Sequence, residues 1–392
     1  MKLASRMNRL GTETAFEVLV RARALEAQGR DVIHLEVGEP DFDTPANVIE
    51  AGADVLRNGW TPYGPAGGQP DFKEAIANYL NRARGTNYTL DNIVVTPGGK
   101  PIMFFTILAL LEAGDEAIYP NPGFPIYESM INFTGAKAVP APIREEKGFA
   151  LDVEELATLI TPKTKLLIIN SPSNPTGGVL SRAEIARIAE LAVEHDLIVL
   201  ADEIYAEILF EGEHVSIATF PGMAERTIIL DGFSKTYAMT GWRLGYGAMP
   251  VDFAQVVTKL MVNSNSCTSM GVQRAGLEAL TGPQDAVKEM VEAFRRRRSL
   301  IVDGLNAIDS ISCALPKGAF YVFPNITGTG MSSKDFADYL LQEHGVAGIA
   351  GTSFGSYGEG YIRLSYANSD ANLERALERV AAAVEGAKAG AR

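Results

Sequence analysis

Along the middle of the chain, short runs of apolar and β-branched residues recur. They are Ile93–Thr96, Ala117–Tyr119, Ala136–Val139, Leu166–Asn170, Leu197–Ala201, Thr227–Leu230 and Leu244–Ala248. Stretches such as LLIIN and LIVLA carry no alternating polar positions, as a strand covered on both faces requires. Between several of them lie helical patterns, such as Arg182–Glu194 with Ile185, Ile188, Ala189 and Ala192 on one face. Strands alternating with helices predict an α/β fold with a mostly parallel sheet. The longest apolar run, Ile102–Leu111, is too short to span a bilayer and predicts a buried helix.

Beyond about residue 282 the pattern changes. A long charged helix over Gln284–Ile308 leads into GAFYVFP, a helix near Lys334–Glu343, the segment YIRLSYA and a closing helix. This α+β pattern predicts a second, smaller domain over 283–392, joined by residues 1–45, which show no core of their own. Residues 46–282 form the expected large domain. The turn-rich segments EPDFDTP and TPYGPAGG lie near the boundary.

Composition narrows the class. The chain has 392 residues and a net charge of -13, so it repels phosphate backbones and is not expected to bind nucleic acid. The basic run Arg295–Arg298 reads as a solvated or interdomain helix face. The two cysteines, Cys267 and Cys313, make neither a disulfide framework nor a zinc spacing, and the four histidines form no spaced pair, so no metal is expected. The amino terminus, MKLASRMNRL, lacks the sustained apolar core of a signal peptide. The expectation is a soluble protein of a reducing cytoplasm.

Four segments follow predicted strands, where open α/β sheets bind ligands. Thr96-Pro97-Gly98-Gly99-Lys100 runs from a strand straight into a helix whose free N–H groups suit a phosphate; a plain strand-to-helix turn would read the same. Asn170 to Gly178 is a constrained loop with two X-Pro units, and Asn174 could donate to an anionic ring oxygen. Asp202 ends the apolar strand LIVLAD, where a carboxylate needs a positive partner such as a pyridinium N–H, or else serves as a cap or strand-end ion pair. Ser234-Lys235-Thr236, followed by Gly241-Trp242-Arg243, offers a lysine able to form a Schiff base once desolvated, with a hydroxyl and a guanidinium suited to a phosphate.

Together with VGEPDFDTP, TPYGPAGG, VVTPGGK, SPSNPTGG, ADEIY, GFSKTYAMTGWRLGYG, KGAFYVFP, AGTSFG and YIRLSYA, these segments resemble the class I/II aminotransferases of the fold-type I pyridoxal-phosphate family, especially the bacterial aspartate aminotransferase branch. The resemblance runs almost end to end. It implies a large domain with a mostly parallel seven-stranded sheet between helices and a smaller α+β domain. It also implies pyridoxal 5'-phosphate as cofactor, with Lys235 as Schiff-base lysine and proton shuttle and Asp202 on the pyridine nitrogen. Tyr205 and Asn174 would bond the ring's phenolic oxygen, and Phe124 would stack on the ring. Gly98, Gly99, Lys100, Ser234 and Arg243 would hold the phosphate. Arg363 would grip the substrate α-carboxylate, helped by Gly38 and Asn174. Tyr63 would reach the phosphate of a neighbouring subunit, making a homodimer with shared active sites.

Departures from the family pattern bear on the substrate. Position 124 is Phe where many relatives carry Tyr or Trp, and Pro101 follows the GGK turn where a polar residue is frequent. The segment NSNSCTS, Asn263 to Ser269, lacks a basic residue for a distal carboxylate, which puts strict dicarboxylate specificity in doubt; Lys100 is another cation that could serve. The implied reaction moves an amino group between an amino acid, aspartate or another common one, and a 2-oxo acid such as 2-oxoglutarate. A lyase or decarboxylase on the same fold is the alternative, and a non-enzymatic regulator built on this fold a remote one. A hydrolase reading of Gly351-Thr352-Ser353-Phe354-Gly355 fails, because the last histidine, His344, precedes the serine.

Overall fold

The structure is a computed structural model and describes residues 1–390. Each of the seven apolar runs is a strand, and all seven form one sheet. In spatial order they are Ile93–Thr96, Gly245–Ala248, Thr227–Gly232, Ile198–Asp202, Thr164–Asn170, Glu116–Asn121 and Lys137–Pro142. Gly245–Ala248 is antiparallel to both neighbours, and the other pairings are parallel. Apolar clusters cover both faces: Ile102, Tyr127, Leu166 and Leu200 lie on one, Ile118, Leu167, Val199 and Ile188 on the other. The unbroken apolar runs have their cause in this double cover.

Local signals set the helix boundaries. Ser181 and Glu184 form a reciprocal cap that starts the helix Arg182–Glu194. Pro70 begins the helix Pro70–Arg84, and Gly85, at φ 76°, ends it. The apolar run near residue 102 is the helix Lys100–Leu110, buried through Ile102, Met103, Phe105 and Ile107. It is not buried all round as expected, since Phe104 and Leu108 face outward. No helix among the described residues is long and apolar enough to cross a membrane.

The carboxyl-terminal part gathers Phe294, Phe320, Phe336, Leu340, Leu373 and Val380 into one core, which Ile33 and Leu35 join from the amino-terminal segment and Tyr205, Ile208 and Phe210 from the stretch that follows the strand Ile198–Asp202. Ile33–His34 pairs in parallel with Val346–Ala347, and Tyr321–Val322, Ile362–Ser365 and Ile349–Ala350 form a small antiparallel sheet. The helix Thr14–Glu26 packs Val18, Ala22 and Leu25 against Phe323, Leu341 and Ile349. Before it, Arg9 and Gly11 bond instead to the helix Ile126–Thr134, through the Asn132 carbonyl and the Ser129 hydroxyl. The chain therefore passes over the cleft near residue 13.

The basic run on the helix Asp285–Asn306 is only partly solvated. Arg297 and Arg298 are buried: Arg297 pairs with Asp41 and Asp370, and Arg298 pairs with Glu211 and donates to the Pro316 carbonyl. Four adjacent helix positions cannot share one face, so two turn inward, and buried guanidinium groups require partners.

Candidate active site

The four chemistry-bearing segments meet at one edge of the sheet. Asp202 ends the strand Ile198–Asp202, Asn174 follows Thr164–Asn170, Ser234 and Lys235 follow Thr227–Gly232, and Gly98 to Lys100 follow Ile93–Thr96. All of these but Gly98 line a single cavity of about 530 Å³ with Gly38, Phe124, Tyr205, Arg243 and Arg363. That size lies within the roughly 300–1,000 Å³ usual for small-molecule sites. Of the residues singled out in the sequence, Gly98 and Tyr63 are not in this lining; Gly98 lies under the Arg243 guanidinium, and Tyr63 is 88% exposed.

Lys235 donates to the Gly38 carbonyl, and its Nζ lies 5.8 Å from the Phe320 ring centroid and 6.0 Å from that of Tyr205. Burial, helped by the Arg363 guanidinium, lowers its pKa to about 8. Asp202 accepts from the Tyr127 phenol at 2.5 Å and from the Ile204 amide at 3.2 Å. Burial raises its pKa to about 6, against the pull of Tyr127. The next carboxylate in the chain, Glu203, is handled the other way. Burial alone would raise it, but the His214 imidazole and the Arg84 guanidinium hold it at about 2. Arg84 also contacts Asp231 and Glu207, so Glu203 belongs to a buried ion network, and of these two adjacent carboxylates it is Asp202 that lines the cavity.

Arg363 is buried between the Tyr321 and Phe354 rings, 4.5 and 4.9 Å from their centroids. Its Nη1 donates to Asn174 Oδ1 at 3.0 Å and its Nη2 to the Glu36 carbonyl, while Nε has no partner among the described residues. A buried N–H without an acceptor is costly, and a carboxylate in the cavity would satisfy it. Asn174 is fixed in turn, because its backbone N–H donates to Asn170 Oδ1 at 2.8 Å, and Asn170 Nδ2 donates to the Asp202 carbonyl at 3.1 Å. The phenol of Tyr205 lies 2.7 Å from that of Tyr321.

A cradle lies at the start of the helix Lys100–Leu110. Gly98 has φ 85°, and a Cβ there would collide with the Arg243 guanidinium, as one on Gly38 would collide with the Tyr321 phenol. Arg243 itself is held at φ 54° and donates to the Thr240 carbonyl at 2.6 Å. The Lys100 side chain is turned to the Glu13 carboxylate, leaving its backbone at the helix start for an anion.

Sequence reading missed Tyr127, Tyr321, Asn170 and Glu13. Tyr127 stands three residues after Phe124, and Tyr321 within the segment KGAFYVFP, as ordinary core aromatics, and only packing shows their hydroxyls to be aimed at Asp202 and Tyr205. Glu13 carried no local signal at all.

A desolvated lysine, a lone buried carboxylate, an anion cradle and a flat ring, Phe124, converge on one cavity at a strand edge. That constellation fits pyridoxal phosphate, which presents an aldehyde, a pyridine nitrogen, a phosphate and a flat ring. The profile of the family described as aminotransferase class I and II matches residues 30–380, and the chain belongs to that family. It is an enzyme, a pyridoxal-phosphate-dependent transaminase of fold type I.

Among the relatives, aspartate aminotransferase of Rhizobium meliloti (strain 1021) is 40% identical, over 97% of this chain and 96% of that one. Arginine–pyruvate transaminase AruH of Pseudomonas aeruginosa is 39% identical, over 94% and 93%. Among solved structures, aspartate aminotransferase from Thermus thermophilus with maleate superposes with a TM-score of 0.94 at 39% identity, covering 98% of this chain and 100% of that one. The aromatic aminotransferase from Pyrococcus horikoshii OT3 does so with a TM-score of 0.89 at 41% identity, covering 94% and 99%.

Proposed function

We propose that the chain transfers an amino group from a common amino acid, aspartate among them, to a 2-oxo acid such as 2-oxoglutarate, in two half-reactions at one site. The observation that carries this is the placement of Lys235 and Arg363 in one cavity, a lysine with its pKa lowered to about 8 beside a buried guanidinium with an unpartnered Nε. Pyridoxal phosphate, when bound, supplies an electron-accepting ring that stabilises negative charge at the substrate α-carbon.

The residues of the chain do the rest. Arg363 and Asn174, with Gly38, orient the α-carboxylate, a task suited to a planar fork. Lys235 anchors the cofactor and then moves a proton to and from the α-carbon, for which an amine near neutrality is fitted. Asp202 holds the ring nitrogen, Tyr205 and Asn174 the phenolic oxygen, and Phe124 the ring face. Gly98, Gly99, Lys100 through its backbone, Ser234 and Arg243 take the phosphate. Residues 46–282 serve as the cofactor-binding domain, with 1–45 and 283–392 as the smaller one. The exposed Tyr63 completes the site of a second copy, so the working unit is a homodimer, acting in the cytoplasm.

The test is an absorbance spectrum of the purified protein with pyridoxal phosphate, repeated with single amino acids and then 2-oxo acids. Bleaching of the visible band by an amino acid and its return with an oxo acid supports the reading. Bleaching without return would point to a lyase or decarboxylase.

A further inference from the structure

The cations that line the cavity differ in how firmly they are committed. Arg363 is engaged with Asn174 and Glu36, Arg243 with the Thr240 carbonyl and the cradle at Gly98, and Lys235 with Gly38. The remaining lining cation is Lys100, and its ammonium is held by the carboxylate of Glu13. Glu13 arrives from the segment that crosses the cleft, one residue ahead of the helix Thr14–Glu26. The glutamate side chain is only 17% exposed, and Lys100 Nζ stands 5.5 Å from the Phe124 ring centroid. Glu13 and Lys100 both line the cavity that holds Lys235 and Arg363. Much of the neighbouring lining is apolar, with Phe16, Val37, Met103, Ile349 and Phe354.

We propose that Glu13 is a specificity-determining residue: by occupying Lys100 it withholds that cation from a second carboxylate on the substrate, and it steers the site toward substrates with uncharged side chains. This rests on the amine-transfer reading above and narrows it: among common amino acids and 2-oxo acids, those without a second carboxylate are favoured over aspartate and 2-oxoglutarate. A dicarboxylate seated on Arg363 must either displace Glu13 from Lys100 or face it as a like charge. An uncharged side chain leaves the pair intact and packs on the aromatic lining. A partly exposed ion pair is worth about fivefold in an equilibrium, and relief of the repulsion brings the expected effect to about tenfold.

The experiment is calorimetric titration of the cofactor-loaded protein with succinate and with butyrate, unreactive acids that differ by one carboxylate. In Glu13→Gln the ratio of succinate to butyrate affinity should rise about tenfold over the unaltered protein. The gain should vanish when Lys100→Gln is added, because it depends on the released ammonium. An unchanged or lower ratio, a parallel gain for both acids, or a gain that survives Lys100→Gln would overturn the proposal. Such a failure is separable from failure of the transfer reading, which is read from bleaching of the cofactor band by any amino acid.

Discussion

The phenol of Tyr127 donates to the carboxylate of Asp202 at 2.5 Å, and both side chains are buried. Burial raises the Tyr127 pKa far above its usual value, so this donor stays protonated throughout the working range. Its bond favours the charged form of Asp202, which burial opposes. In Tyr127→Phe the ring is retained and only the donor is lost. A hydrogen bond to a charged group contributes about 1.5–3 kcal/mol, so cofactor affinity should fall by about tenfold or more, read by titrating apoenzyme with pyridoxal phosphate. Unaltered affinity would reduce Tyr127 to a packing residue.

Asp202 itself should make the cofactor-free protein less stable at neutral pH. With its folded pKa raised to about 6, the native state holds a proton that the unfolded chain has lost between about pH 4 and pH 6. Stability therefore falls as pH rises through that window, and the full penalty remains above it. Cofactor-free Asp202→Asn should melt at a higher temperature than the unaltered apoprotein at pH 7, and the margin should close towards pH 4. A margin that grows on acidification would contradict the assigned burial. With cofactor present, the same variant should lose several orders of magnitude in turnover, because the ring loses its charged partner.

Lys235→Ala should show no measurable transamination, since both the anchor and the proton carrier are removed. Steady-state assays with added pyridoxal phosphate test this directly. Appreciable turnover would displace Lys235 from the mechanism.

Arg363→Lys keeps the charge and removes the fork, the stacking between Tyr321 and Phe354, and one of the bonds to Asn174 or Glu36. KM for amino acid and oxo acid should rise together by about tenfold to a hundredfold. A rise for only one of the two would mean that they are not held by the same group.

Tyr63 projects from its own subunit at 88% exposure. If it serves a neighbour, Tyr63→Phe should weaken cofactor retention without lowering the melting temperature of the apoprotein. Dilution of the unaltered protein below its dimer constant should have the same effect. Retention independent of both would place Tyr63 outside the site.

The strands were legible because burial on two faces leaves an unbroken apolar run, as at Ile93–Thr96 and Leu166–Asn170. Strand ends placed Asp202, Asn174 and Lys235 near one another, because parallel strands bring their carboxyl ends to a common edge. The inward turn of Arg297 and Arg298 was not legible, since charge alone does not say which side of a helix meets carboxylates from Asp41, Asp370 and Glu211.

What the sequence alone determined was the fold class, the family resemblance and the segments carrying the chemistry, because these depend on local periodicity and on residue types at the ends of strands. What the tertiary structure decided was partnership. Tyr127 meets Asp202 across 75 positions, Lys100 meets Glu13 across 87, and Arg363 meets Asn174 across 189. No local pattern encodes such pairs, since each arises only when separate elements are packed on the same core. The pKa of Asp202 and the hold on Lys100 depend on those pairs, and both are properties of the folded chain.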